Sequence, residues 1–402
     1  MKRTDVVIVG GGLAGVTLAL GLSQQGFQVQ VIEQQAGEPD ALPPVIPSAR
    51  VSALHLASRR LLTHLGVWSR LARQTPFTDM QVWERDGHGR LQWSAAALMQ
   101  TEMGHIVENE VLVRALLDAL SETRVEIRRG VTVQSLQADD EGVSLLLDDG
   151  TFCRAALLVA ADGAHSPVRR LLDTPMLAWD YGHTAVVATL RMATPHQQCA
   201  RQLFTPAGPL ALLPLSDPHW CSLVWSLPPD EAAARMALDD QAFAKAVAVA
   251  SDHSLGLCEV LGPRQAIPLR ARFARQLIQQ RCILMGDAAH TIHPLAGQGV
   301  NLGLMDVAAL MDILYQHRHD APWPTLHFLD RYVRWRKSEA AHMLAAMEGI
   351  KQLFALPGPL AALVRQQGMQ CLNQAPWLTR GLLRQAMGLA GDLPGWLREV
   401  EL

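Results

Sequence analysis

Several features that define particular classes of protein are missing from this sequence. Its six cysteines form no Cys-x-x-Cys pair, which argues against a zinc ribbon or a dithiol redox motif, and we expect no metal site. No uninterrupted apolar run reaches the roughly 18 residues that a membrane-spanning helix needs. With a net charge of −3, the chain also lacks the basic excess of nucleic-acid-binding proteins. We therefore predict a cytoplasmic protein whose contact with the inner face of a membrane, where it occurs, is peripheral.

What the chain does contain, at its start, is a glycine-rich turn between two strands. An apolar strand at 5–9 leads into Gly10-x-Gly12-x-x-Gly15, a helical pattern follows, and a second strand ends at Glu33. In this setting Gly10 permits a tight turn, Gly12 lets the backbone approach a pyrophosphate, and Gly15 permits close packing of the helix. Glu33 is placed to accept hydrogen bonds from ribose hydroxyls. The pattern predicts a dinucleotide site without distinguishing NAD(P) from FAD.

A second apolar strand, at 155–161, also ends in a carboxylate. It is followed by Asp162-Gly163, a pair that is typical of a tight hairpin turn. The helical pattern that begins at Ser166 favours the other interpretation, a turn from strand to helix. We expect Asp162 to lie on the side of the sheet that faces the ligand.

A third turn combines a carboxylate with a helix N-terminus. A short strand ends at Gly286-Asp287, and a helix begins near Val300 after a loop with Gly297 and Gly299. A carboxylate accepts hydrogen bonds from hydroxyl groups, and a helix N-terminus offers free backbone N–H groups to negative charge. We expect a large polar ligand here, with an ordinary capped corner as the alternative.

The middle of the chain has a different sequence pattern from the regions on either side of it. Between residues 183 and 272, strands alternate with proline and glycine turns, with one alanine-rich helix after Pro228. This pattern favours an antiparallel sheet that forms a separate substrate domain. The predicted fold class is α/β, α+β overall. Its parts are a dinucleotide-binding domain at 1–75, 100–182 and 273–330, a β-sheet substrate domain at 76–99 and 183–272, and a helical C-terminal region at 331–402.

Two positively charged parts of the sequence can each be interpreted in more than one way. Arg50 follows a proline-rich loop, where it could bind a phosphate or remain a solvated surface charge. Residues 377–389 form a basic amphipathic pattern that suits a membrane surface, a partner protein or the protein's own core.

Together the three turns resemble the fingerprints of the flavin-dependent aromatic hydroxylases similar to p-hydroxybenzoate hydroxylase. The glycine-rich turn, Asp162-Gly163, and Gly286-Asp287 with Asn301 occur in the order that this family shows. The resemblance implies that the dinucleotide is FAD. It also implies a Rossmann-like FAD-binding domain with an inserted antiparallel sheet.

The same resemblance implies a role for individual residues. Glu33 would bind the adenosine ribose, Arg50 and Asn109 would lie beside the cofactor, and Asp287 would bind the ribityl chain or the pyrophosphate. Asp162 would support the cofactor fold and could also face the reductant, and the backbone from Gly299 to Asn301 would face the flavin pyrimidine edge. The cofactor-binding candidates are Gly10, Gly12, Gly15, Glu33, Arg50, Asn109, Asp162, Gly286, Asp287, Gly297, Gly299, Val300 and Asn301.

Within this family the whole chain resembles the hydroxylases of ubiquinone biosynthesis, and most closely those that act at ring position 5 of a polyprenylphenol. The stretches that carry this resemblance are 50–54, 104–109, 208–214, 214–226, 286–303 and 384–394. Hydroxylation at another ring position of the same pathway is one alternative. A flavin reductase or dehydrogenase acting on an isoprenoid substrate is another, and a flavin-bearing interaction subunit is a third.

The chemistry of the family implies further groups. Molecular oxygen is the co-substrate, and a flavin C4a-hydroperoxide transfers one oxygen atom to the phenol ring. Since only one GxGxxG turn is present, NAD(P)H would bind transiently or another protein would deliver the electrons. His290 and His293 are candidates for polarising the phenol, and Pro294 for bordering the reacting face. The expected partners are a hydrophobic polyprenylphenol and other ubiquinone-biosynthesis proteins.

Overall fold

A computed structural model describes residues 4–37, 45–85, 89–291, 298–320, 326–356 and 358–397. Across these residues the chain forms three β-sheets and ten α-helices. The α-helices are α1 (Leu13–Gln24), α2 (Leu56–His64), α3 (Asn109–Ser121), α4 (Pro167–Leu171), α5 (Pro229–Met236), α6 (Asp240–Ala250), α7 (Gln298–Gln316), α8 (Leu326–Ala355), α9 (Pro359–Gln374) and α10 (Pro376–Ala386).

The first sheet has eight strands and a parallel centre. Its strands are β1 (Thr4–Val9), β2 (Val29–Glu33), β8 (Glu126–Arg129), β9 (Val133–Ala138), β10 (Val143–Leu147), β11 (Phe152–Ala160), β18 (Ile278–Gln279) and β19 (Cys282–Leu284). β19, β11, β1, β2 and β8 run parallel in that order, while β9, β10 and β18 are added antiparallel. The carboxyl ends of the parallel strands therefore lie along one edge of the sheet.

The second sheet has nine strands and is largely antiparallel. Its strands are β5 (Asp79–Glu84), β6 (Arg90–Ser94), β12 (Met176–Met192), β13 (Cys199–Thr205), β14 (Gly208–Pro214), β15 (Trp220–Leu227), β16 (Cys258–Val260), β17 (Gln265–Ala274) and β20 (His290–Thr291). β13 and β5 pair in parallel, so the sheet is not antiparallel throughout. A third, three-stranded antiparallel sheet is formed by β3 (Val51–His55), β4 (Thr75–Phe77) and β7 (Gly104–Glu108).

The central strand β1 is buried on both faces. Val6 and Ile8 belong to an apolar core with α1, α3 and α7, whereas Val7 and Val9 belong to a second core on the opposite face. Successive side chains of a strand point to opposite faces, so a continuous valine and isoleucine run is what a covered parallel strand requires. The α/β prediction is confirmed by this sheet and its helices.

Two predicted details of the middle region were wrong. The single alanine-rich helix after Pro228 is two helices, α5 and α6, because Asp239 caps a new helix by accepting a hydrogen bond from Ala242 N at 2.7 Å. β12 begins at Met176, earlier than the predicted start at residue 183, and its pairing is irregular between Asp180 and His183. The domain boundaries themselves stay a prediction.

Candidate active site

The glycine-rich turn that follows β1 combines one crowded side with one open side. Gly10 has a φ of +110°, and a Cβ added there would lie 2.3 Å from the carbonyl oxygen of Ala161. A Cβ on Gly15 would lie 1.9 Å from the carbonyl oxygen of Gly10. A Cβ on Gly12 would meet nothing within 4 Å. Gly10 and Gly15 are therefore required by the fold, whereas Gly12 faces open space that a ligand could enter.

Glu33 lies directly beside this turn. One carboxylate oxygen, Oε2, accepts a hydrogen bond from Gly11 N, and the other, Oε1, accepts one from Gln35 N at 2.7 Å. The acid at the end of β2 is thereby held next to the start of α1. This position is compatible with the predicted ribose contact.

Asp162 stands where β11 ends, against the same turn. A Cβ on Gly10 would lie 2.8 Å from Asp162 Cα, which places the two backbones in contact. Its Oδ2 accepts a hydrogen bond from Val168 N at 3.1 Å, near the start of α4, so the predicted strand-to-helix turn is present and the hairpin alternative is wrong. Its Oδ1 is buried without a hydrogen-bond partner in the described structure, and burial raises the pKa of the carboxyl.

Arg169 joins the turn after β11 to the turn after β19. Its side chain is buried and donates one hydrogen bond to the Ala164 carbonyl and another to the Ala288 carbonyl, each at 2.8 Å. Burial lowers the pKa of Arg169, and the nearby charge of Asp162 opposes that effect. The two acid-bearing turns are thus fixed to each other by one side chain.

Asp287 is an exposed residue, and many protein atoms surround its carboxylate. This surrounding protein raises the pKa of Asp287 by desolvation, and the charges of His290, Arg50 and Arg272 partly offset the effect. Gly286 packs against α1, because a Cβ there would lie 3.3 Å from the Ala14 Cβ. Asp287 therefore lies where the three predicted turns meet, and we call the exposed surface at this meeting point the cleft.

A buried ionic network supports the Asp287 turn from inside. Asp306 Oδ2 lies 2.7 Å from His290 Nε2 and accepts a hydrogen bond from Gly286 N at 3.0 Å. Asp306 Oδ1 accepts a hydrogen bond from Arg336 Nε at 2.6 Å. Burial by itself would raise the pKa of Asp306, but the charges of His290 and Arg336 outweigh it and lower that pKa to about 2. This network fixes the turn to α7 and α8.

The start of α7 is anchored to the third sheet by Asn301. The buried amide donates to the Ala53 carbonyl at 2.7 Å, and its oxygen accepts from His55 N at 3.1 Å and from Ser58 Oγ at 2.8 Å. The buried Asn301 side chain is thus held by three hydrogen bonds inside the protein, so it is the backbone here that could face a ligand. Gly299 has open space at its Cβ position, and Val300 packs partly buried against the main core.

Arg50 and Asn109 come together at the edge of the third sheet. Asn109 N donates to the Arg50 carbonyl at 3.1 Å, and Asn109 Oδ1 accepts from Ser52 Oγ at 2.7 Å. Arg50 is exposed and close enough to Asp287 to influence its pKa. The candidates His293, Pro294 and Gly297 lie outside the described residues.

Sequence reasoning missed Arg169, Asp306 and Arg336. Asp306 carried a usable signal, since it is an acid within the otherwise apolar run Leu302–Leu310 of α7. Neither arginine carried one, because Arg169 has an arginine neighbour and Arg336 lies in a helix rich in charge. No group of His, Cys, Asp or Glu suited to a metal ion occurs among the described residues. Across the same residues, no helix is both long and apolar enough to cross a membrane.

Comparison with known proteins decides what this cleft belongs to. The profile of the FAD binding domain family matches residues 3–346. The chain is 36% identical to 3-demethoxyubiquinol 3-hydroxylase of Escherichia coli, over 96% of this chain and 99% of that protein. It is also 36% identical to the ubiquinone hydroxylase UbiL of Rhodospirillum rubrum, over 100% of this chain and 94% of that protein. The chain belongs to the FAD-dependent hydroxylases.

The fold of this family agrees with the comparison of structures. The p-nitrophenol 4-monooxygenase PnpA of Pseudomonas putida superposes with a TM-score of 0.77 at 19% identity, covering 97% of this chain and 99% of that one. At this identity the likeness shows the fold. The predicted membership in the flavin hydroxylases of ubiquinone biosynthesis, the monooxygenase activity and the FAD cofactor are confirmed by the family and its relatives.

The residues of the cleft fit an FAD molecule. FAD carries a pyrophosphate and several hydroxyl groups, and the cleft offers an open glycine backbone at Gly12 and an exposed carboxylate at Asp287. The partnerless Oδ1 of Asp162 is a further acceptor beside them. Phosphate favours the open glycine turn and helix N-terminus, and hydroxyl groups favour the carboxylates.

Proposed function

We propose that this FAD-dependent monooxygenase hydroxylates the aromatic ring of a polyprenylphenol at position 5 in ubiquinone biosynthesis. The observation that carries the proposal is the meeting of three turns, at Gly12, Asp162 and Asp287, next to strand β20 of the second sheet. The substrate class follows from the names of the relatives that match over nearly the whole chain. The ring position follows from the sequence resemblance.

In this proposal the turn at Gly12 approaches the pyrophosphate, and Glu33 binds the adenosine ribose. The Asp287 carboxylate binds hydroxyls of the ribityl chain or lies at the pyrophosphate. Because its neighbours already hold its backbone, this acid needs no rearrangement to accept hydrogen bonds. The N-terminal end of α7 would stabilise negative charge at the flavin pyrimidine edge, since a helix N-terminus carries partial positive charge.

The aromatic ring would bind between the second sheet and the start of α7. Leu302 of α7 belongs to an apolar cluster with β12 and β17, and Ala53 of β3 belongs to a neighbouring cluster with Leu213 of β14. Val224 of β15 is partly buried and packs against both clusters. An apolar wall at this place suits a prenylated phenol and excludes water.

The reaction consumes one molecule of oxygen for each ring. One oxygen atom enters the ring as a hydroxyl, the other leaves as water, and the reductant supplies two electrons as a hydride equivalent together with a proton. Bound FAD supplies the activation of oxygen. NAD(P)H, bound transiently, or a protein donor is proposed as the reductant, since the chain contains one GxGxxG turn.

His290 is not proposed as the base that polarises the phenol. Its ring is buried, and its Nε2 lies 2.7 Å from Asp306, so the side chain is held inside the turn. A base must come within hydrogen-bond reach of the phenol proton. His293, which lies outside the described residues, stays a candidate.

A second ring position is favoured by a specific observation. The relative from Escherichia coli is named for hydroxylation at position 3 of a demethoxyubiquinol, and its identity equals that of UbiL. Position 3 is therefore the alternative substrate site for this chain.

Lipid mass spectrometry of cells that lack the gene distinguishes these possibilities. Accumulation of a polyprenylphenol without the position-5 oxygen supports the proposal, and accumulation of a demethoxyquinone supports position 3. Complementation by the wild type, but not by Asp287→Ala, is expected. The control Asp118→Ala, which changes a half-exposed acid on α3, should complement fully. Normal quinone levels in the deleted cells, with no other hydroxylase in the genome, would overturn the assignment to this pathway.

A further inference from the structure

The C-terminal helices carry an unusual concentration of exposed apolar side chains. Roughly half of the exposed large hydrophobic residues among the described part of the chain lie between Ile350 and Leu382. Leu360 of α9 is 78% exposed and Trp377 of α10 is 77% exposed. The others in this segment are Ile350, Leu353, Leu356, Leu363, Val364, Leu378 and Leu382. Exposed apolar surface of this extent marks a site of interaction.

The charge of the same segment has one sign. No aspartate or glutamate occurs between Glu348 and Asp392, although the chain as a whole has a net charge of −3. Arg380 and Arg384 of α10 are exposed on the surface that carries Trp377. Exposed tryptophan and leucine with arginine and no acid suit the interface of an anionic lipid bilayer.

The opposite sides of these helices are firmly attached to the protein. On α10, Leu383 is fully buried against Ala95 and Met103. On α9, Arg365 forms a 2.6 Å ion pair with Glu84, and Asn373 donates a hydrogen bond to the Arg90 carbonyl at 2.7 Å. α9 and α10 each already have a side that is buried against the protein. The exposed apolar residues therefore lie on their outer sides.

The end of α10 is connected to the proposed active site through His55. Gly388, just beyond the helix, packs so closely on His55 that an added Cβ would lie 2.7 Å from the imidazole. The backbone N–H of His55 is in turn bonded to the Asn301 side chain at the start of α7. A surface at α10 is thus two contacts away from the place where the flavin ring is proposed to bind.

We propose that the outer surfaces of α9 and α10 form a docking face for an anionic lipid bilayer. The apolar side chains enter the interfacial layer, and Arg380 and Arg384 contact lipid phosphates. The inference rests on the proposed function only in its purpose, which is to bring a lipid-dissolved phenol to the cleft. Docking itself is independent of the reaction.

Sedimentation of the FAD-loaded full chain with vesicles tests this face. Phosphatidylglycerol mixed with phosphatidylcholine should bind the protein, and phosphatidylcholine alone should bind it more weakly. Trp377→Ser with Leu382→Ser should lower the partition coefficient for both vesicles by about tenfold or more. Arg380→Gln with Arg384→Gln should lower it by about tenfold for the anionic vesicles only. Leu257→Ser removes a 64% exposed leucine elsewhere and should change neither.

Two results would overturn the docking face. One is equal vesicle binding by the wild type and both double variants. The other is absence of vesicle binding together with a protein oligomer that the tryptophan and leucine variant abolishes, which would identify a second copy as the occupant. Bound flavin per chain and turnover of a detergent-dissolved, short-chain phenol are measured in parallel. Absence of that turnover in the wild type would count against the proposed function. Loss of turnover in the variants with vesicle-borne substrate alone would support the docking face.

Discussion

His290 and Asp306 lie 2.7 Å apart in the protein interior, with the imidazole Nε2 against carboxylate Oδ2, at the turn that presents Asp287 to the cleft. Arg336 approaches the other oxygen of the same carboxylate. One buried acid therefore compensates two basic side chains and a backbone N–H. The shape of the turn depends on this acid.

Asp306→Asn is expected to destabilise the protein strongly. The change leaves the fully buried Arg336 guanidinium without its main counter-charge, and breaking a buried ion pair costs about 3–5 kcal/mol. Urea denaturation of the flavin-free protein measures the loss. Glu122→Gln removes the partner of Arg70 on the surface and should leave the free energy of unfolding unchanged. Equal effects of the two variants would contradict the supporting role of the network.

Protonation of His55 should make the protein less stable in mild acid. Burial lowers the pKa of His55 to about 4, whereas in the unfolded chain it is near 6.5. As the pH falls from about 6.5 to 4, the unfolded state binds a proton that the folded state does not, so the free energy of unfolding falls by about 3 kcal/mol. Below about pH 4 the folded state is protonated too, and this contribution to the pH dependence ends.

His55→Asn isolates this contribution. His55 caps α2 by accepting a hydrogen bond from Ser58 N at 3.0 Å, and asparagine is also a good N-cap. The variant should keep the helix and show a shallower decline in unfolding free energy between pH 6.5 and 4. A residual slope is expected, because burial also lowers the pKa of His105 to about 4. An unchanged slope would show that His55 is not the titrating group.

Gly12→Ala should weaken cofactor binding without affecting stability, whereas Gly15→Ala should lower the stability of the protein. The Cβ of alanine at position 12 meets nothing, so the melting temperature of the flavin-free protein should stay the same, while FAD affinity should fall about tenfold or more. At position 15 the Cβ overlaps the Gly10 carbonyl, and a loss of about 1–3 kcal/mol in stability is expected. Calorimetry and flavin fluorescence titration separate the two. Unchanged FAD affinity in Gly12→Ala would place the pyrophosphate elsewhere.

Arg169→Met should weaken the joint between two of the cofactor turns. Methionine fills similar space but leaves the carbonyls of Ala164 and Ala288 without their donor, at a cost of about 2–4 kcal/mol. FAD should dissociate faster, because Asp162 and Asp287 are no longer fixed to each other. Stopped-flow fluorescence measures the release. Arg170→Met, one residue further on at an exposed position, is the matched control and should behave like the wild type.

The strands and turns of the cofactor region were predictable because their information is local. β1, β11 and β19 are short apolar runs; β1 is followed by a run of glycines, and β11 and β19 are each followed within a few residues by a glycine and an acid. The joining of the three turns was not predictable from residues alone. Arg169 bonds to a carbonyl 119 positions away, and Arg336 reaches Asp306 across two helices. Such partners depend on packing that no pattern of neighbouring residues encodes.

The two elements of the middle region that were predicted wrongly, the alanine-rich helix and the start of β12, also have physical explanations. Asp239 divides the alanine-rich stretch into α5 and α6, and its capping role could have been recognised from the sequence. The early start of β12 could not, because residues 176–180 are largely exposed and are strand only through pairing with β17.

β1 lies between β2 and β11 in the first sheet, although β11 is far from it in the sequence. β1 is synthesised before its neighbour β11, which lies much later in the chain, and β19 and Asp287 come later still. The cleft beside the glycine turn is therefore complete only after all of these segments have been synthesised. A ligand that binds only the folded state stabilises it by mass action, so we expect bound FAD to raise the share of folded protein.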